Sequence, residues 1–196
     1  ATFGIQAAAD MIKSGSAQTI LIVDPEVTTG HLDFKDRDCH FIFGDVCTAI
    51  LLEKKETAKS NNAFEILSTK CITQFSNNIR NNFGFLNNAN ESKPLDRDLL
   101  FMQEGRKVFK EVVPMVSQLI IDHLSEEKID TQEIKRLWLH QANKSMNDFI
   151  GKKVLGRVPE DHEQPNILQE YANTSSAGSI IAFSQYSEDM KEDDVG

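Results

Sequence analysis

The sequence predicts an α/β layered fold with a mostly parallel sheet, and three observations predict it. Short β-branched apolar runs such as TILIVD, Thr19 to Asp24, alternate with longer stretches whose apolar residues follow helical spacing. The 196 residues, 40% of them hydrophobic, are enough to bury a sizeable core. The first and last helical segments, ATFGIQAAADMI and NTSSAGSIIAFS, share a small-residue beginning and an apolar stripe. That echo predicts two similar halves facing each other, with both helices completely buried.

Ala1 opens into ATFGIQAAADMIKSG, an amphipathic helix with Ile5, Ala8, Ala9 and Ile12 on one face and Gly15 as its stop. No capping residue or start methionine stands ahead of it, and SEDMKEDDVG ends in a turn, so further sequence is expected on both sides. TILIVD has the length of a buried strand. A loop carrying Pro25, Gly30 and FKDRD leads to HFIFGDVCTAILLEKK, a strand pair or one long strand interrupted at Gly44 and Asp45. AFEILSTKCITQ, Ala63 to Gln74, continues as strand. NNIRNNFGFLNNANESKPLD is rich in Asn and breakers, and a loop of about 20 residues favours a binding or lid role over a mere connection.

From Leu99 to Leu124, Val108, Val112, Met115, Val116, Leu119 and Ile120 follow helical spacing, and Pro114 is expected to kink or split that helix near Lys110. IDTQE is a capped helix start, IKRLWLH a strand and KSMNDFIGKKVLG a helix. ANTSSAGSIIAFSQYSED closes as a helix whose first turn, made of small and hydroxyl residues, packs tightly against something.

Composition narrows the partners. Twenty-one basic residues against 30 acidic give a net charge of −9, so no basic face offers itself to nucleic acid or an anionic membrane. An acidic partner must be met by a local patch. Cys39, Cys47 and Cys71 share no CxxC spacing, and the chain has no apolar stretch of signal-peptide or membrane-span length, which predicts free thiols in a reducing cytosol. Cys39 beside His40 has no second pair at ligand spacing, so no metal site is expected.

The chemistry concentrates in RLWLHQANKSM, Arg136 to Met146. His140 stands at the carboxyl end of an expected strand, where ligands of open α/β sheets bind; it is a hydrogen-bonding imidazole for such a ligand, or a satisfied structural histidine. Asn173 is an N-cap for the last helix or a carboxamide aimed at a developing oxyanion.

HQAN followed by a helix, NTSSAG, FIFGDVCTAILLE (Phe41 to Glu53) and MQEGRKVFKEVVP are collinear over nearly all of the chain. Together they resemble the β-ketoacyl-acyl-carrier-protein synthase III family. The resemblance implies a thiolase-like fold of two similar βαβ halves, incomplete here: 1–60 as the end of the N-terminal half and 61–196 as most of the C-terminal half. It implies an acyltransferase of fatty acid biosynthesis in which a Cys takes an acyl group from a coenzyme A thioester. A His and an Asn then hold the thioester oxygen of malonyl carrier protein, and loss of CO2 generates the carbon nucleophile. His140 matches the family His and Asn173 the family Asn. The nucleophilic Cys belongs by resemblance to a turn ahead of ATFGIQ, where the helix dipole lowers a thiol pKa, and a Gly-rich turn follows the last helix. This sequence contains neither, and the chain as it stands is not expected to condense alone.

The same resemblance implies acyl-CoA and malonyl-acyl carrier protein as partners and no cofactor beyond the coenzyme A and phosphopantetheine that the substrates carry. It also implies a homodimer, formed near the first helix and FIFGDV, in the cytoplasm. An acidic carrier protein asks for basic residues at the pocket mouth. Lys144, Lys152, Lys153 and Arg157, with Lys107 and Lys110, are the candidates, or are ordinary solvated side chains. Phe83 and Phe85 line the acyl tunnel or anchor a lid. Cys47, in GDVCTAI, is expected to pack in the core rather than act as a nucleophile with His140. Two other readings stay open: a thiolase-fold relative condensing acyl chains for a secondary metabolite, and a non-catalytic carrier-binding paralogue.

Overall fold

Two-residue alternation organises the first body of the molecule. A computed structural model describes residues 1–60, 62–81 and 97–196. In it β1 (Thr19–Glu26) and β2 (Val46–Glu53) pair antiparallel, Thr19 opposite Glu53 and Glu26 opposite Val46. Side chains alternate across a strand, so Ile20, Ile22, Ile50 and Leu52 share a face, and α1 (Thr2–Lys13) lays Ala8 and Ile12 on it. Gly15, at φ +80, follows the end of α1 as its sequence position predicts.

The other face of this hairpin is bare. Leu21, Val23 and Leu51 are 61%, 57% and 62% exposed, and no described residue covers them. TILIVD is therefore half-buried, not a strand buried on both sides. The alternation that exposes Leu51 also exposes Cys47, which corrects the expectation that its thiol packs in the core. α1 likewise buries one face only, with Phe3 and Met11 open to solvent, so it is not completely buried.

Both ladders among the described residues are antiparallel, the second being β3 (Ile79–Arg80) with β4 (Met102–Gln103). Parallel pairing is limited there to the isolated bridges Phe43–Asn173 and Ile134–Val195, in place of the parallel sheet expected. Residues 63–74 and 135–140, expected as strands, carry no ladder. A strand needs a continuous hydrogen-bonded neighbour. The later segment has single bonds instead, Lys135 N to the Val195 carbonyl and Leu137 N to the Glu163 carbonyl, both 2.8 Å. The earlier one is tied by side chains: Ser68 Oγ shares a 2.7 Å hydrogen bond with His123 Nε2, and Lys70 pairs with Glu126.

α2 (Gly105–Glu127) runs unbroken through Pro114, so the expected split near Lys110 does not occur. It starts after the first apolar positions and ends at Lys128, which takes a left-handed φ of +60. α2 packs on α3 (Lys144–Leu155), and Val113, Ile150, Val154 and Leu155 join Ile134, Leu137 and Leu139 between them. Burial of Ile150, Val154 and Leu155 stabilises α3 by about 1.5–3 kcal/mol each, more than propensity gives a helix this short. The cap expected at IDTQE is present, but it opens a three-residue 3-10 turn over Thr131–Glu133 in place of a helix: Asp130 accepts from Gln132 N, and Glu133 accepts from Asp130 N. α4 (Leu168–Tyr171) and a 3-10 turn over Ser175–Ala177 lead to α5 (Gly178–Tyr186). α5 buries Ile181 and Ala182 beside Ile167, with Val46 and Trp138 packed on them, and leaves Tyr186 exposed, so like α1 it buries one face.

A charged pair braces the link after α3. Arg157 donates to both oxygens of Glu163, at 2.6 and 2.5 Å, and Glu160 N donates to the same carboxylate at 2.8 Å. The guanidinium first, and then the backbone amide, hold the Glu163 carboxyl down from 4.5 to about 2. A depressed folded pKa contributes stability that is present above 4.5 and lost as pH falls towards 2. Glu163→Gln is therefore expected to flatten the fall of Tm across that window relative to wild type, as calorimetry at stepped pH would show.

Candidate functional site

The four residues HQAN link the extended segment before them to α3, and their side chains take different tasks. Gln141 is fully buried: Nε2 donates to the carbonyls of Leu139 (3.0 Å) and Pro165 (3.2 Å), and Oε1 accepts from Ile167 N (3.1 Å). Asn143 caps α3 by accepting from Met146 N at 3.2 Å. The His140 carbonyl accepts from Ala142 N and Asn147 Nδ2, both at 3.1 Å. The backbone of His140 is thereby fixed while its imidazole stays accessible to solvent.

The facing loop is built around Asn173. Asn173 N donates to the Ile42 carbonyl (2.7 Å), and Gly44 N donates to the Asn173 carbonyl (3.0 Å). The approach is close enough that a Cβ on Gly44 would stand 2.6 Å from the Tyr171 carbonyl oxygen, so only glycine fits. Asp45 locks the far side of this junction by accepting from Thr29 N (2.8 Å), Thr28 Oγ1 (3.2 Å) and Thr29 Oγ1. The two loops touch at Gly178, where a Cβ would lie 2.8 Å from Gln141 Cβ. The small residue opening the last helix is thus a packing requirement, as its tight first turn predicts.

Asn173 is buried, and its Oδ1 accepts from Ser175 N at 3.0 Å, which leaves Nδ2 as the donating end of the carboxamide. That bond holds Ser175 at φ +53, a conformation that L side chains rarely adopt. The imidazole of His140 lies against the backbone of the same Ser175. The structure therefore brings His140 and Asn173 together at one residue. Desolvation lowers the His140 pKa below 6.5, while the Ser175 backbone and the negative charge of Glu26 pull it back in part. Burial thus keeps the imidazole uncharged at pH 7, with the Asn173 carboxamide held on the other side of the same residue.

The basic candidates do not form one cluster. Lys144 opens α3 beside His140 and pairs with Asp148 at 3.1 Å. Lys152 and Lys153 lie on the last turn, about 12 Å further along the helix at 1.5 Å per residue. Arg157 is committed to Glu163, and Lys107 pairs with Glu104 at 2.5 Å. Phe83 and Phe85 lie outside the described residues. Cys39 is buried, and burial together with a hydrogen bond to Asp36 pushes its thiol up to about 11, so it is not a nucleophile at neutral pH.

Sequence reasoning missed Glu26, Gln141, Ser175 and Ser176. Ser176 donates from N to Glu26 Oε1 at 3.0 Å, across 150 positions of chain, a pairing that local pattern does not signal. Gln141 had a signal: a carboxamide directly after the apolar run LWL has to be satisfied somewhere inside.

Comparison with known proteins gives concordant matches. The family model for 3-oxoacyl-[acyl-carrier-protein (ACP)] synthase III matches residues 1–74, and the model for its C-terminal part matches residues 124–195. The chain is 58% identical over 196 residues to beta-ketodecanoyl-[acyl-carrier-protein] synthase of Pseudomonas aeruginosa, covering 100% of this chain and 56% of that protein. It is 29% identical over 188 residues to beta-ketoacyl-[acyl-carrier-protein] synthase III of Streptococcus uberis, covering 93% and 54%. Among solved structures it resembles 3-oxoacyl-[acyl-carrier-protein] synthase III of Aquifex aeolicus, with TM-score 0.76, 23% identity and coverage of 93% and 53%. It also resembles 3-oxoacyl-(acyl carrier protein) synthase III of Pseudomonas aeruginosa, with TM-score 0.77, 20% identity and coverage of 93% and 54%. The chain spans about half the length of the curated relatives it matches, and over that span it has the thiolase-like α/β fold in part.

Gln141→Leu keeps the size of the side chain and strands the Ile167 amide inside the protein. The substitution is expected to destabilise by about 2–3 kcal/mol, read from urea unfolding midpoints at unchanged m-value.

Proposed function

The chain belongs to the 3-oxoacyl-[acyl-carrier-protein] synthase III family, and on that footing we propose that the protein joins an acyl-coenzyme A primer to malonyl-acyl carrier protein. Carbon dioxide leaves, and the product is a 3-oxoacyl-acyl carrier protein. The observation that supports this best is the meeting of His140 and Asn173 at Ser175.

The chemistry needs a place for one transient negative charge. As the bond from the malonyl C2 carbon to its carboxylate breaks, the electron pair moves into the thioester, and the oxygen becomes an enolate. Asn173 Nδ2 and the His140 imidazole are the groups that hold it, and preorganised donors of this kind contribute about 3–4 kcal/mol each. The depressed pKa of His140 suits the task, because the ring stays uncharged until negative charge develops beside it. The C2 carbon then attacks the acyl carbonyl, and a cysteine thiolate departs. That cysteine is neither Cys39, whose thiol is buried, nor Cys47, which lies on the bare outer face of the hairpin.

No cofactor is needed beyond the coenzyme A and phosphopantetheine arms of the two substrates. The similarity to a beta-ketodecanoyl synthase points to a ten-carbon product and hence an eight-carbon primer, since condensation adds two carbons. Lys144, beside His140, is the best placed of the basic residues to meet an acidic carrier protein, with Lys152 and Lys153 further along α3. A homodimer in the cytoplasm, with 1–60 and 61–196 belonging to successive halves of the fold, completes the proposal. No helix among the described residues is long and apolar enough to cross a membrane.

In the full chain, His140→Ala is expected to lower malonyl decarboxylation about 10²- to 10³-fold while the protein still takes an acyl group from the thioester. CO2 release and mass spectrometry of the acylated protein measure the two steps separately, and lost acylation with retained decarboxylation would reverse the assignment. Asn173→Asp replaces the donor with a charge that repels the enolate and is expected to impair decarboxylation at least tenfold; unchanged CO2 release would remove Asn173 from the site.

A further inference from the structure

We propose that Glu26, at the end of β1, is a positioning residue for His140 and Asn173, and that it acts by holding Ser176; this rests on the condensing function proposed above. Ser176 donates to Glu26 Oε1 from its amide at 3.0 Å and from its hydroxyl at 2.6 Å. The hydroxyl also lies 2.8 Å from Asp24 Oδ2, and Asp24 and Glu26 share the inward face of β1. The residue before Ser176 is Ser175, whose amide fixes Asn173 and whose backbone lies against His140. Glu26 therefore grips one end of a two-residue turn, and the two functional side chains lean on the other end.

A carboxylate does more there than a neutral acceptor. Ser176 lies in the turn that leads into α5, where negative charge is favourable, so capping alone would account for a carboxylate. The geometry goes further, because the charge also bears on the imidazole, across the turn and without touching it. Of the other charged groups on the elements around His140, Asp24 stands 2.8 Å from the Ser176 hydroxyl and 3.8 Å from the Ala1 ammonium, Asp45 is engaged with Thr28 and Thr29, and Lys144 with Asp148. Glu26 favours the protonated ring and offsets part of the desolvation, so withdrawing its charge moves the ring towards the neutral form.

The test uses the full chain with Glu26→Gln, which keeps the Oε1 acceptor and removes the charge, and Glu26→Ala, which removes both. The His140 ring is titrated by NMR, and CO2 release from malonyl carrier protein is followed against pH. In Glu26→Gln the His140 midpoint is expected about half a pH unit lower than in wild type, with the acid limb of CO2 release moving by the same amount. In Glu26→Ala, kcat is expected to drop about tenfold with KM for acyl-CoA unchanged. A His140 midpoint unchanged in Glu26→Gln, as a purely capping role would give, overturns the proposal; so does wild-type kcat in Glu26→Ala. The NMR midpoint does not depend on the reaction. A shifted midpoint alongside undiminished CO2 release in His140→Ala upholds the grip of Glu26 on His140 and overturns the condensing function instead.

Discussion

Two neighbouring backbone amides carry the site. Ser175 N is taken by the Asn173 side chain and Ser176 N by Glu26, so one turn of backbone is pinned from both directions. Between them Ser175 stands at φ +53, in the left-handed region. Peptide N–H groups at the start of a helix need partners in any case. Here the partners that satisfy them also determine where an imidazole and a carboxamide stand.

The turn sits where separate cores meet. The α1 and β1–β2 body supplies Glu26 and Asp24, and the α2–α3 body supplies His140. The cluster of Ile167, Ile181 and Ala182, with Val46 and Trp138 against it, lies between them. Gln141 works in the same sense from inside, because its carboxamide ties the segment before α3 to Ile167. Small shifts in either body would be felt as changes in hydrogen-bond length at Ser175, since close-packed interiors transmit displacement.

Much of this was legible in the chain. Helical spacing located α1, α2 and α3, and the capped start at IDTQE and the stop at Gly15 fell where turn chemistry puts them. His140 and Asn173 stood out because polar residues followed an apolar run in one case and opened a small-residue helix in the other. Strands were less legible. TILIVD and IKRLWLH both read as strands, but only the first finds a continuous neighbour among the described residues. Pairing is a property of two segments, and periodicity reads one at a time. Cys47 shows the same limit: alternation correctly divided its strand into two faces but could not say which of them would be covered. The acceptors that hold Ser176 lie too far off in sequence for any local pattern to find them.

The bare side of the β1–β2 hairpin has a practical consequence. Among the described residues each strand of that ladder has a single neighbour, and the surface they leave uncovered bears Leu21, Val23 and Leu51. An adhesive apolar sheet with unpaired edges recruits further strands from whatever chain is nearby. Handled at high concentration as this polypeptide alone, the molecule would be prone to aggregate through that surface, and a covering layer there would act as its solubiliser.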